Sequence, residues 1–174
     1  MNRSIRGPKV HSSMRSAIRC LTLVACALSL TLVSTAQTLA IVTADGHATT
    51  LSAAQIAGAA HVTITTDDRG TPAKFEGVPL ATVLTMASVQ LGDSLRGARL
   101  SEVLLATAAD NYKVAFALAE IDPAFATREI ILADKRDGKP LDAKEGPFRI
   151  VAPGDKRPAR WIRQVTELKI VAVK

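Results

Sequence analysis

Apolar positions along this chain recur at alternate residues in several stretches and at every third or fourth residue in a few others, a pattern that predicts many short strands and few helices. Ile41, Val42 and Thr43 lead into Asp45-Gly46, and Thr49, Thr50 and Leu51 return, so the first element reads as a hairpin about a two-residue turn. Ser52 and Gln55 stand at the spacing of a capping box, opening a short helix that Gly58 closes. His61 to Thr66 (HVTITT) is alternating and rich in β-branched residues, hence a strand. Asp67 to Gly70 reads as a polar loop, and Lys74-Phe75-Glu76 as a brief second arm ending before Gly77. Leu80, Val83, Leu84 and Ala87 predict a helix from about Pro79 to Ala87.

Further along, Glu102 to Thr107 and Tyr112 to Leu118 read as strands joined by Ala109-Asp110-Asn111, and Glu120 to Thr127 as a short helical turn. Glu129 to Ala133 is an apolar strand, Asp137-Gly138 a turn, and Phe148 to Ala152 and Val165 to Val173 the last strands. Strands outnumber helices, which predicts an α+β domain with a mixed, partly barrel-like β-sheet and short helices, not a doubly wound nucleotide fold.

One stretch fits neither period. Cys20 to Val33 (CLTLVACALSLTLV) is an apolar run that follows five basic residues (Arg3, Arg6, Lys9, Arg15 and Arg19) and precedes Ser34-Thr35-Ala36. That is the layout of a secretory signal peptide over residues 1–36, cleaved after Ala36, with Ala40 as the next option. The run is short of the roughly 20 residues a membrane span needs. The expected product is an exported, periplasmic single domain, residues 37–174, with no stable membrane span after cleavage.

Charge changes its meaning once the leader is set apart. The whole chain carries 22 Lys and Arg against 16 Asp and Glu, a formal +6, but removing the five leader cations leaves 17 against 16. The exported part is thus nearly neutral, and nucleic acid is not an expected partner. Cys20 and Cys26 are the two cysteines, so that part holds no thiol, which excludes disulfides, zinc–thiolate sites, iron–sulfur clusters and cysteine nucleophiles.

Candidate chemistry is sparse. Gly92-Asp93-Ser94-Leu95 matches an esterase signature, but no histidine follows His61 to activate Ser94. His47 and His61 lack neighbouring patterned ligands, so no metal site is expected. Positive charge gathers in Gly154 to Arg163 (GDKRPARWIR), where Lys156, Arg157, Arg160 and Arg163 face one acid, Asp155. This segment has two readings: an anion cradle of guanidinium groups, or a solvated loop in which Trp161 plugs the core with an arginine stacked on it.

In order along the chain, Phe75-Glu76-Gly77-Val78-Pro79-Leu80 with Val83-Leu84, Ala109-Asp110-Asn111-Tyr112, Ala117 to Glu120, Asp137-Gly138-Lys139-Pro140-Leu141, Gly146 to Pro153, and Ala159-Arg160-Trp161-Ile162 with Val165 resemble elements of one family. It is the molybdopterin-binding domain of the sulfite oxidase and periplasmic methionine-sulfoxide reductase superfamily, and the resemblance spans roughly residues 60 to 172. It implies the sulfite-oxidase-type fold and molybdopterin as cofactor, with cofactor-binding positions at Thr66, Arg69, Asp110, Tyr112, Lys156, Arg157, Arg160 and Trp161. Family members hold molybdenum through a cysteine near the strand before the "G-V-P-L" element. Here Thr63 to Gly70 has no cysteine, and a threonine hydroxyl does not replace a soft thiolate.

The expected function is therefore an exported module that binds a small anion, or a periplasmic or membrane protein, through a pocket lined by Arg69, Lys156, Arg157 and Arg160. Two alternatives stand beside it: a molybdenum-cofactor-dependent periplasmic oxidoreductase of the sulfite oxidase or sulfoxide reductase type, and a structural or sensory interaction domain.

Overall fold

The structure is a computed structural model that describes residues 37–173; the leader expected at 1–36 lies outside the described residues. The alternating apolar pattern forms ten strands divided between two sheets. In the first, β1 (Thr38–Val42) and β2 (Ala48–Ser52) pair antiparallel, with Leu39 and Ile41 turned inward. Their connection is one residue longer than the expected two-residue turn. The Thr43 amide donates to the His47 carbonyl (2.9 Å), and Gly46 takes a φ of 86° in the three-residue loop between them. Ser52 then caps α1 (Ala53–Ala57): its Oγ accepts from the Gln55 amide (3.3 Å) and Gln55 Oε1 accepts from the Ser52 amide (2.9 Å).

The rest of this sheet comes from far along the chain. β5 (Glu102–Ala108), β6 (Lys113–Ala117) and β10 (Val165–Ala172) give the order β2-β1-β10-β5-β6. The β1–β10 pair is parallel and the others antiparallel, so the sheet is mixed.

The second sheet is built on β3 (Val62–Asp68) and β4 (Thr71–Pro79), joined by Arg69-Gly70 with φ of 62° and 86°. Positive φ at both central residues is the two-residue turn that matches strand twist, so the hairpin runs to its tip where a polar loop was expected. β4 is also longer than expected and continues through Gly77. A Cβ there would lie 2.2 Å from the Leu132 carbonyl oxygen; the glycine lets β7 (Ile131–Arg136) approach, at a register break between Glu76 and Gly77. β8 (Lys139–Pro140) and β9 (Arg149–Val151) both pair with β7.

Three short helices complete the domain: α1, α2 (Leu80–Met86), which buries Leu80, Val83 and Leu84, and α3 (Leu118–Ile121). Leu39, Leu104 and Leu168 of the first sheet and Phe75, Val78, Leu132 and Ile150 of the second meet in one apolar core. Two separate sheets replace the single curling sheet expected, and neither closes into a barrel, because β2, β6 and β3 each pair on one side only. Among the described residues no helix is long and apolar enough to cross a membrane.

Candidate functional site

The basic segment Gly154 to Arg163 is divided by its ion pairs. Arg160 donates from Nε and Nη2 to Asp155 (3.0 and 2.9 Å) and from Nη1 to Glu120 (3.0 Å), with its guanidinium 5.0 Å over the Phe116 ring. Arg128 closes the same group by donating to Asp155 (2.7 Å) and to Glu120. The Arg160 hydrogen bonds hold the Asp155 carboxyl below the usual carboxylate range despite partial burial, and the two carboxylates raise Arg160 in return. Two arginines against two carboxylates leave no net charge, so Arg160 is a clamp between the chain before β7 and the chain after β9. Its N–H groups are engaged by these carboxylates and not free to donate to a bound anion, contrary to the expectation.

A second group has the same composition, two arginines against two carboxylates. Arg149 on β9 is 2% exposed and meets Asp68 through two bonds of 3.1 Å, and Glu145 through one of 2.9 Å. Arg136 reaches the same two acids at 3.1 and 3.3 Å. The Arg149 guanidinium sits 4.9 Å over Phe75 and 5.6 Å over Trp161, the two rings meeting edge to face at 6.1 Å. Burial pushes Asp68 up, but the Arg149 hydrogen bonds and the charges of Arg149, Arg136 and Arg69 outweigh it and hold the carboxyl low. Trp161 is 4% exposed and its Nε1 donates to the Ala152 carbonyl (2.9 Å). The core-plug reading of Trp161 therefore holds, with Arg149 of β9 supplying the stacked cation instead of a loop arginine.

Above Trp161 opens a cavity of about 310 Å³. Arg69 reaches it from the β3–β4 turn, Asp110 and Tyr112 from the β5–β6 turn, Lys144 from the chain before β9, and Trp161 and Arg163 from the chain before β10. The β5–β6 turn is set by Asn111 at a φ of 66° and by Asp110 Oδ1, which accepts from the Tyr112 amide (2.9 Å). Tyr112 Oη donates to the Ala159 carbonyl (3.1 Å), tying that turn to the basic segment. Gln164, at a φ of 51°, fastens the other side. Its amide donates to the Glu145 carbonyl (2.9 Å), its Nε2 to the Ala143 carbonyl (2.7 Å), and its carbonyl accepts from Ala109 (3.0 Å).

Of the expected site residues, Arg69, Asp110, Tyr112 and Trp161 come together at this cavity. Thr66, Lys156, Arg157 and Arg160 do not line it. Strand alternation puts Thr66 on the face of β3 shared with Ile64 and Asp68. Lys156 and Arg157 are exposed on the chain leading to Pro158, which does border the cavity. Lys144 and Gln164 were missed, since an isolated lysine and a glutamine carry no sequence signal; Arg163 had been read only as part of the basic segment.

Outside the cavity, His61 is fixed by two acceptors: Nε2 lies 3.0 Å from Asp134 Oδ2 and Nδ1 2.8 Å from the Ala59 carbonyl. Both ring nitrogens are satisfied together only in the imidazolium, with each N–H donating. Burial pulls the ring down, yet Asp134 and the carbonyl hold it above the usual histidine range.

Residues 61–173 match the family model for the oxidoreductase molybdopterin-binding domain. The chain belongs to that family. Among solved structures 28 chains match it, one being the sulfane dehydrogenase SoxCD from Paracoccus pantotrophus, with a TM-score of 0.61 and 18% identity over 78% of this chain. The chain spans 38% of that protein's length, and the likeness is one of fold. No curated protein matches the chain.

Whether the residues of this molybdopterin-binding-type domain fit the family's cofactor is decided by its donor set. Arg69, Lys144 and Arg163 suit an anionic group at the cavity. A thiolate for the metal is lacking: no cysteine occurs after Cys26, and no cluster of three His, Cys, Asp or Glu able to hold a metal occurs among the described residues. The site therefore fits the anionic part of such a group and not a thiolate-ligated metal.

Proposed function

We propose that this protein is an exported, accessory anion-binding domain of the molybdopterin-binding oxidoreductase family, working without a thiolate-ligated molybdenum centre. The observation that carries the reading is the convergence of Arg69, Lys144 and Arg163 on one cavity whose lining holds a single acid, Asp110. None of the three cations makes an ion pair among the described residues, so their charge is available to a ligand. Export to the periplasm is supported by the basic start, the apolar run Cys20 to Val33 and the small residues before Gln37.

The single tryptophan, Trp161, lines the cavity and reports its occupancy. Titration with inorganic phosphate should change Trp161 fluorescence saturably in the native protein and not in R69A/R163A; an unresponsive native protein overturns the reading. N-terminal sequencing of the periplasmic fraction should begin at Gln37.

Family membership favours a second reading, a molybdenum-dependent oxidoreductase with a non-cysteine ligand. Metal analysis of protein purified from molybdenum-replete cells separates the two. Stoichiometric molybdenum, with turnover of a sulfoxide or an oxyanion, supports the enzyme and removes the accessory role.

A further inference from the structure

The cations of the basic segment fall into two groups. Arg160 is consumed by Asp155 and Glu120, whereas Lys156 and Arg157 are exposed and have no ion-pair partner among the described residues. Asp155, the acid next to them in sequence, is likewise spent on Arg128 and Arg160. Lys156 and Arg157 lie outside the cavity, beside Pro158 on its border, so a small anion held by Arg69, Lys144 and Arg163 leaves them unanswered.

Tyr112 stands at the same place. It is 51% exposed, and its hydroxyl is fixed by the Ala159 carbonyl, so the ring is presented in one orientation. Tyrosine and arginine are residue types enriched among the anchors of protein partners, and a tyrosine already held through its hydroxyl docks at little cost in side-chain entropy. Of the four large hydrophobic residues exposed among the described residues, Leu100, Tyr112, Phe125 and Val173, only Tyr112 lines this cavity. The rim thus lacks the aliphatic and indole wedges that a membrane-surface site uses.

We propose that the cavity mouth docks an acidic segment of a partner protein, one carboxylate entering among Arg69, Lys144 and Arg163 while following acids meet Lys156 and Arg157 along the rim. The proposal rests on the anion-binding reading of the cavity and extends it to a polypeptide. Several spaced charges are matched at once, which gives strong salt dependence and selectivity for a chain over a free ion.

The test uses a fluorescently labelled decaglutamate peptide, binding being read by anisotropy on the purified protein at low and at physiological salt. The native protein should bind the peptide, and K156E/R157E should weaken it about tenfold, the sum of several exposed charge contacts removed and reversed. Both side chains are exposed and unpaired, so the variant should keep the native melting temperature, and its phosphate response at Trp161 should be unchanged. Peptide affinity equal to the native value, with phosphate binding intact, overturns the docking proposal and leaves the cavity reading standing. Absence of the phosphate response in the native protein overturns the cavity reading itself. Preference for phosphatidylglycerol vesicles over the peptide also overturns the proposal, in favour of a lipid surface.

Discussion

Arg149 and Asp68, 81 positions apart in sequence, face each other through two parallel hydrogen bonds of 3.1 Å inside the core, with Phe75 and Trp161 against the guanidinium. This pair joins β9 to the end of β3, one residue before the turn that carries Arg69 to the cavity. Removing the cation would leave the buried carboxylate with Arg136 as its one remaining ion-pair partner among the described residues, and would take the guanidinium away from Phe75 and Trp161. Arg149→Met is expected to lose about 3–5 kcal/mol in urea unfolding, with part recovered when Asp68→Asn is added. A loss under about 1 kcal/mol in the single variant would mean that the pair does not hold the fold.

The same carboxylate predicts an acid limb. Asp68 and Asp155 are held below their ordinary values in the folded state, so their contribution is present above the unfolded value, about 3.9, and disappears as pH falls through the folded values. Stability measured between pH 5 and pH 2 should drop steeply, and Asp68→Asn should flatten that drop, about the relevant range in which carboxylates protonate.

His61 acts in the opposite direction. Its folded value is raised, so the contribution of the His61–Asp134 pair is complete below about pH 6.5 and is lost as pH rises through the folded value. Chemical denaturation at about pH 6 and about pH 8 should show the native protein weaker at the higher pH, a difference that His61→Gln abolishes.

Two glycines should separate crowding from backbone strain. A methyl group at Gly77 would overlap the Leu132 carbonyl at 2.2 Å, so Gly77→Ala must part β4 from β7 and should fail to give a cooperative unfolding transition. At Gly70 nothing lies within 4 Å and only the φ of 86° resists a side chain, so Gly70→Ala should fold with a loss of about 1 kcal/mol.

Arg160 and Arg163, three residues apart, should give contrasting phenotypes. Arg160→Ala breaks bonds to Asp155 and Glu120 and should lower the melting temperature. Arg163→Ala, exposed at the cavity, should change stability by less than about 0.5 kcal/mol while reducing the phosphate response of Trp161.

Much of the local structure is readable in the sequence alone. The Ser52–Gln55 capping box, the Asp137-Gly138 turn, the α2 period and the HVTITT strand appear where spacing placed them, because each depends on steric preferences and hydrogen bonds within a few residues. Gly77 misled the strand boundary, since its purpose is the close approach of β7, whose crowding Leu132 carbonyl lies 55 positions later. In the site, Arg69, Asp110, Tyr112 and Trp161 were within reach of the family resemblance, whereas Lys144 and Gln164 were not.

The sequence by itself determined the family, the scarcity of helix, the absence of any thiol after Cys26, and the concentration of cations in one segment. Only the tertiary structure decided which of those cations are free. Arg160 is neutralised by Glu120 from 40 positions away, while Arg163 joins Arg69 and Lys144 around a cavity that no contiguous stretch contains. Charge is a property of each residue and can be counted along a chain. Its availability depends on which carboxylates the fold brings within hydrogen-bond distance, and that follows from strand pairing and loop closure across the whole domain.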